Sequence, residues 1–181
     1  MPTRERPAIA IRRASVDDAA MLARLAAASF ADTFAADNDA HDMATYMAEA
    51  FGEAQQRAEL CDDRLLVMIA DVAGDVAGYA MLREGPADEC VGVTDAIEVA
   101  RLYADRRWIG AGVGAALMQA CLEAAAARGR STIWLGVWEH NARAIAFYRR
   151  WGFVQKGTHP FVLGRDHQTD HVMARPVAME D

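Results

Sequence analysis

Apolar and polar positions alternate over 8–13, the period of two expected of a strand with one buried face. Ser15-Val16-Asp17-Asp18 then reads as a capping-box start for a helix running to about Phe34. Asp37-Asn38-Asp39 signals a loop, and Met43, Tyr46, Met47, Ala50 and Phe51 recur at helical spacing, predicting a second helix over 41–51 and a third to Leu60. The apolar runs 65–71 and 76–83, joined through Ala73-Gly74-Asp75, predict an antiparallel hairpin. A strand over 96–104 leads through a glycine-rich turn into a helix over 112–128 with Val113, Leu117, Ala120, Cys121 and Ala124 on one face. The run 132–137 reads as a buried strand and Asn141 as the cap of a helix to Trp151. Closing strands over 154–163 and 167–175 flank a Gly164-Arg165-Asp166 turn. No repeat, linker or low-complexity stretch interrupts the chain, so one α/β domain over 1–181 is expected.

Composition narrows the class. Apolar residues make up 53% and charged residues 25% of the chain, which excludes disorder and a disulfide scaffold. Alanine supplies 39 of the 181 residues, so the core volume must come from Leu, Ile, Val, Met and the aromatic residues. Cys61, Cys90 and Cys121 have no metal-ligand spacing and are expected to be free thiols. The first seven residues are charged and proline-rich, and no apolar run reaches the roughly 18 residues of a membrane span. A reduced, cytoplasmic location follows as an expectation.

The net charge of −7 argues against nucleic-acid or anionic-membrane partners. Between 31 and 63 stand nine carboxylates and one arginine, whereas between 101 and 156 nine cations face three acids. That asymmetry suits a phosphate-bearing ligand at one end of the domain and a cationic one at the other; two solvated helix faces would show the same pattern. Within the basic half, Ile109-Gly110-Ala111-Gly112-Val113-Gly114 packs three glycines just before a helix. Glycine tolerates positive φ and close backbone approach, so amides can converge there on an anion beside the helix N-terminus. A tight turn feeding an alanine-rich helix has the same look. The Gly-Lys-Ser/Thr of a P-loop is absent, and the predicted hairpin ahead of the turn is foreign to a dinucleotide fold.

Arg101-Leu102-Tyr103-Ala104 followed by the glycine turn, then Asn141 through Ala144 to Phe147-Tyr148 and Gly152-Phe153, resembles the GNAT superfamily of acetyl-CoA-dependent N-acetyltransferases. Trp134-Leu135-Gly136-Val137-Trp138-Glu139, His159, Phe161, Gln168-Thr169-Asp170, Ala31-Asp32-Thr33-Phe34 and Asp37-Asn38 are similar to its PaiA-like group, whose members acetylate polyamines. Where the family usually carries Gln or Arg before the first glycine, this chain has Ile109, leaving the anion grip to backbone amides. The resemblance implies a mixed, mostly antiparallel sheet of about seven strands with helices on both faces. Its fourth and fifth strands would splay to admit acetyl-CoA. The implied coenzyme residues are Leu102, Tyr103, Ala104, Ile109, Gly110, Ala111, Gly112, Val113, Gly114, Asn141 and Tyr148. A small primary amine is the expected acceptor, a homodimer is family habit, and no metal is called for.

Acetyl transfer to an amine needs a free base, an oxyanion donor and a proton for the leaving thiolate. By the resemblance, a backbone amide of Leu102, Tyr103 or Ala104 is the oxyanion donor and Tyr148 the acid; without it, Tyr148 would be a packing aromatic beside Phe147 and Trp151. Glu98, given the side-chain parity of Ala100 and Leu102 on a regular strand, is the first candidate base and His159 the second. Each could equally be a solvated carboxylate or a structurally satisfied histidine. Glu139 and Asp170 are candidates to hold a second ammonium. His167 and His171 share a strand face but lack a third metal ligand, and Cys121, on the apolar helix face with no neighbouring His, is a poor nucleophile.

Overall fold

In the computed structural model, residues 8–36, 38–163 and 166–178 are described. The charged, proline-rich first seven residues, Asp37, the Gly164-Arg165 part of the last turn and the last three residues lie outside them. The elements are β1 (Ile9–Arg13), α1 (Ala19–Phe34), α2 (Ala40–Phe51), α3 (Glu53–Leu60), β2 (Leu65–Val72), β3 (Asp75–Arg83), β4 (Ala96–Ala104), α4 (Val113–Ala127), β5 (Thr132–Trp138), α5 (Ala142–Arg150), β6 (Val154–Leu163) and β7 (Asp166–Pro176). Local chemistry accounts for several boundaries. Ser15 and Asp18 form the capping box, preceding a 3-10 turn over Val16–Asp18 that feeds α1. Asp39 caps α2 by accepting from the amides of His41 and Asp42, and Asn141 caps α5 by accepting from Ala144. The hairpin turn is tighter than expected: Val72 pairs with Asp75, leaving Ala73 and Gly74 at φ 52° and 88°, the positive pair of a two-residue turn.

The seven strands form one sheet in the order β1-β2-β3-β4-β5-β7-β6, antiparallel except for β4 against β5. Helices α4 and α5 pack on one face through Val113, Leu117, Met118, Cys121, Ile145 and Tyr148. The opposite face carries α1 and α2, through Leu22, Ala26, Phe30, Met43 and Phe51, with α3 beside them. Among the described residues, no helix is long and apolar enough to cross a membrane.

Two irregularities position the site. The parallel pairing of β4 with β5 lasts only from Ala96–Thr132 to Glu98–Trp134, after which the strands part. Just there β4 bulges, since Leu82 pairs with Val99 but Met81 pairs with Arg101. Ala100 is the extra residue, and it inverts the alternation beyond it. Glu98 shares a face with Arg101 and Tyr103, and Leu102 lies on the other. The expected common parity of Glu98 and Leu102 is thereby corrected. Close approach also shapes β4: a Cβ on Gly78 of β3 would lie 2.5 Å from the Tyr103 carbonyl oxygen and 3.0 Å from Val113 Cγ1.

Candidate active site

The splay between β4 and β5 opens a cleft of about 580 Å³. Val99 to Ala104 form one wall and Gly136 to Trp138 the other. The amide of Asp105 donates to Ala77 of β3, and strand amides alternate in direction. Tyr103 therefore turns its N–H toward β3, while Leu102 and Ala104 turn theirs to the edge β5 has left open. Of the three expected oxyanion donors, two have the direction such a role requires.

At one end of the cleft, Ile109, Gly110, Gly112, Gly114 and Ala115 line the N-terminus of α4, with Arg106, Arg143 and Arg150 nearby. The loop satisfies the amides of Trp108, Ile109 and Ala111 through Asp105, Arg106 and Trp108 carbonyls. Gly110 and Gly112 adopt φ of 83° and 97°. An added Cβ would meet no protein atom within 4 Å at Gly110 and only Ile9 Cδ1 at 3.7 Å at Gly112, so glycine is needed there for backbone conformation more than for space among protein atoms. Ala111 is not in the lining, and Val113 is buried in the core beneath it. Arg107 is committed to Asp105 at 3.0–3.1 Å.

Tyr148 projects from α5 into the cleft, its ring edge-on to Phe147 and Phe153 at 5.4 and 5.7 Å. Burial pushes its hydroxyl well above the ordinary tyrosine value, so it stays protonated at neutral pH. Asn141 also lines the cleft, but its side-chain oxygen is engaged as the α5 cap.

The other end is roofed by aromatic rings, with Phe34 5.4 Å from Trp138 and Tyr46 5.8 Å from Phe161. There the cleft adjoins a second cavity of about 590 Å³, with Gly136, Asp170, Tyr46 and Phe161 lining both. His159 lines the second cavity and not the cleft, beside Gly136 and Asp170, which line both. A Cβ on Gly136 would approach His159 Nε2 to 3.1 Å and Asp170 Oδ2 to 3.3 Å, so glycine there lets both groups pack against β5. Glu98 belongs to the second cavity, where Arg83 grips both its oxygens at 2.8 and 2.9 Å. Glu139 is exposed beside His140 and lines neither space. Of the acidic 31–63 segment, Asp32 lines the cleft, and Glu59 and Asp62 the second cavity; Asp39 is the α2 cap, and Asp42 is buried.

Burial pushes the Asp170 carboxyl above the usual carboxylate range, with His159 opposing the shift. A carboxyl whose folded pKa exceeds its unfolded value contributes less stability as pH rises through the folded value. Asp170→Asn is therefore expected to raise Tm at neutral pH, and its lead over the wild type to shrink as pH falls through the raised folded value and to vanish once pH is below the ordinary carboxylate value. Thermal scans across pH measure this; a pH-independent gap would mean that the buried ionised carboxylate is not the cause.

Sequence reasoning gave no role to Arg101, Tyr46 or Asp88. Arg101 has its guanidinium 5.0 Å over the Phe51 ring and bonded by Glu59 at 2.7 and 3.0 Å. Tyr46 was legible only as an apolar helix position. Asp88 carried no signal beyond a turn, yet its carboxylate lies 3.2 Å from His159 Nδ1.

Comparison with known proteins accords with this geometry. The profile of the Acetyltransferase (GNAT) family matches residues 27–153. An uncharacterized N-acetyltransferase of the pepI 3′ region of Lactobacillus delbrueckii subsp. lactis is 33% identical over 147 residues, 81% of this chain and 85% of the relative. An uncharacterized N-acetyltransferase of Mycobacterium tuberculosis is 39% identical over 116 residues, 64% of this chain and 70% of the relative. Among solved structures, the PaiA N-acetyltransferase of Thermoplasma acidophilum in complex with coenzyme A shares the fold with a TM-score of 0.77 at 18% identity, over 93% of this chain and 99% of that one.

Proposed function

The chain belongs to the GNAT family of acetyltransferases, and from that premise we propose that it acetylates a primary amine of a polyamine such as spermidine, using acetyl-CoA in a ternary complex. The observation that carries the reading is the splay after Glu98–Trp134, which leaves a strand edge open between a glycine-lined helix terminus and a junction of ionisable groups. The residues present suit the coenzyme. Gly110, Gly112 and the first turn of α4 offer amides to a pyrophosphate, with Arg106, Arg143 and Arg150 adding positive charge. Bound acetyl-CoA supplies an activated thioester.

The protein's own groups do the rest. Leu102 and Ala104 direct amide N–H groups at the place where carbonyl oxygen gains charge. Tyr148 Oη holds the proton that the departing sulfur takes. An alkylammonium has a pKa near 10, about that of lysine, so a base must remove its proton before attack. His159 is that base in this reading, because Arg83 already binds both oxygens of Glu98. Asp32 and Asp170 are the cleft carboxylates placed to attract a second ammonium.

Coenzyme release measured with spermidine, an amino acid, an aminoglycoside and an N-terminal peptide tests the acceptor class, with kcat/KM expected to be highest for spermidine. Preference for any of the others would overturn the polyamine reading and leave acetyl transfer intact. Asp32→Asn should raise KM for spermidine about 5-fold, the size of an exposed charge contact of about 1 kcal/mol, and leave that of a monoamine unchanged. Equal effects on both would remove Asp32 from acceptor recognition. Asp39 is unsuited to such a test, since replacing it would first disturb the α2 cap.

A further inference from the structure

Three polar side chains from distant parts of the chain meet beside the second cavity, which His159 and Asp170 line. His159 of β6 places Nδ1 3.2 Å from Asp88 Oδ2 and Nε2 3.8 Å from Asp170 Oδ2. Asp88 stands at the head of a short 3-10 turn, Glu89–Val91, and its other oxygen accepts from the Cys90 amide at 3.1 Å. That turn is seated on β6 at Gly157, where a Cβ would fall 2.8 Å from Cys90 Cβ and Sγ. Hydrogen bonds from the Cys90 thiol and amide hold the Asp88 carboxyl below the usual range, so at neutral pH it is an anion that can only accept. Of the two carboxylates it is the nearer to the ring, at 3.2 Å against 3.8 Å for Asp170, so in the neutral imidazole the nitrogen facing it carries the hydrogen. Nε2 is left with its lone pair on the side of Asp170 and Gly136, two residues that line both cavities.

We propose that Asp88 is a positioning residue for acetyl transfer: it fixes the His159 tautomer so that Nε2 can take the proton of the acceptor ammonium. The inference rests on His159 being the base. In the step, an ammonium N–H bond breaks, its electron pair stays on the amine nitrogen, and an Nε2–H bond forms. The imidazolium is then flanked by Asp88 and Asp170 and returns its proton to water in the second cavity, which His159 lines. The other titratable groups near this array are Cys90 on the turn, His171 on β7, Glu139 beyond β5, Tyr46 on α2 and Tyr103 on β4; Glu98 and Arg83 line the same cavity as a pair.

Asp88→Asn tests the proposal on the intact protein, because asparagine keeps the shape and can still cap the turn. Nitrogen-15 spectra of the imidazoles, assigned with His159→Gln, are expected to show the Nδ1–H form of His159 in the wild type and its loss in Asp88→Asn. With spermidine, or whichever panel amine turns over fastest, kcat at neutral pH should fall about 10- to 100-fold while KM stays within about twofold. His159→Gln should lose about 100-fold or more. If His159→Gln is slow but Asp88→Asn matches the wild type, or is slow with the tautomer unchanged, the positioning role is overturned and the base stands. If His159→Gln is as fast as the wild type, the base assignment falls, and the role of Asp88 with it.

Discussion

Tyr148→Phe is expected to lower kcat about 100-fold while coenzyme affinity stays within about twofold. The substitution removes one hydroxyl and keeps the ring, so the edge-on packing against Phe147 and Phe153 and the α5 face buried with Ile145 should survive. What disappears is a proton donor that burial keeps protonated far above neutral pH. For the same reason, an alkaline fall in wild-type kcat below about pH 10 should not come from this phenol. Single-turnover rates with two different acceptors, alongside calorimetric titration with coenzyme A, separate the chemical step from binding. An undiminished rate with both acceptors would assign the acid elsewhere, and a parallel loss of coenzyme affinity would make Tyr148 a binding residue instead.

Glu59→Gln should produce the larger loss of stability, about 3–5 kcal/mol, corresponding to a Tm drop on the order of 10 °C for a chain of this size. The Arg101 and Glu59 side chains are only 16% and 11% exposed. The guanidinium lies over the Phe51 ring, and the buried Tyr79 hydroxyl has no hydrogen-bond partner among the described residues. Removing one partner leaves a desolvated cation beside a neutral amide, which costs far more than losing a surface pair. Replacing both partners with apolar residues of similar volume, Arg101→Met with Glu59→Leu, should recover most of the loss. Urea titrations of the singles and the double give the coupling directly. A Glu59→Gln loss below about 1 kcal/mol would show that water screens the pair.

The pair also bears on function. Arg101 follows the Ala100 bulge, and Glu59 ties α3 to that point of β4, beside the cleft edge carrying Leu102 and Ala104. Loosening it should blur the direction of those amides, so the stability of α3 and the rate of transfer are expected to fall together in Glu59→Gln.

Much of this molecule is written in local chemistry. Periods of two and of 3.6, the Ser15–Asp18 capping box, the Asn141 cap and the alternating glycines each depend on neighbours a few residues away, so the order of elements and the glycine turn could be read directly from the chain. The two signature blocks also carried the family. Short-range signals placed Gly136, His159, Phe161 and Asp170 in one motif set without stating how they meet.

Pairing across strands decided the rest. One extra residue at Ala100 reverses the alternation of β4, moving Glu98 to the Arg83 side and bringing Arg101 to Glu59, 42 positions away. His159 and Asp88, 71 positions apart, meet only because the turn before β4 is seated on β6 at Gly157. Side-chain periodicity is a property of the local backbone, and sequence by itself determined it here: the elements, their caps and the glycine turn. Register, bulges and the parting of β4 from β5 follow from how distant segments share hydrogen bonds and volume, so only the tertiary structure chose which ionisable groups reach the cleft.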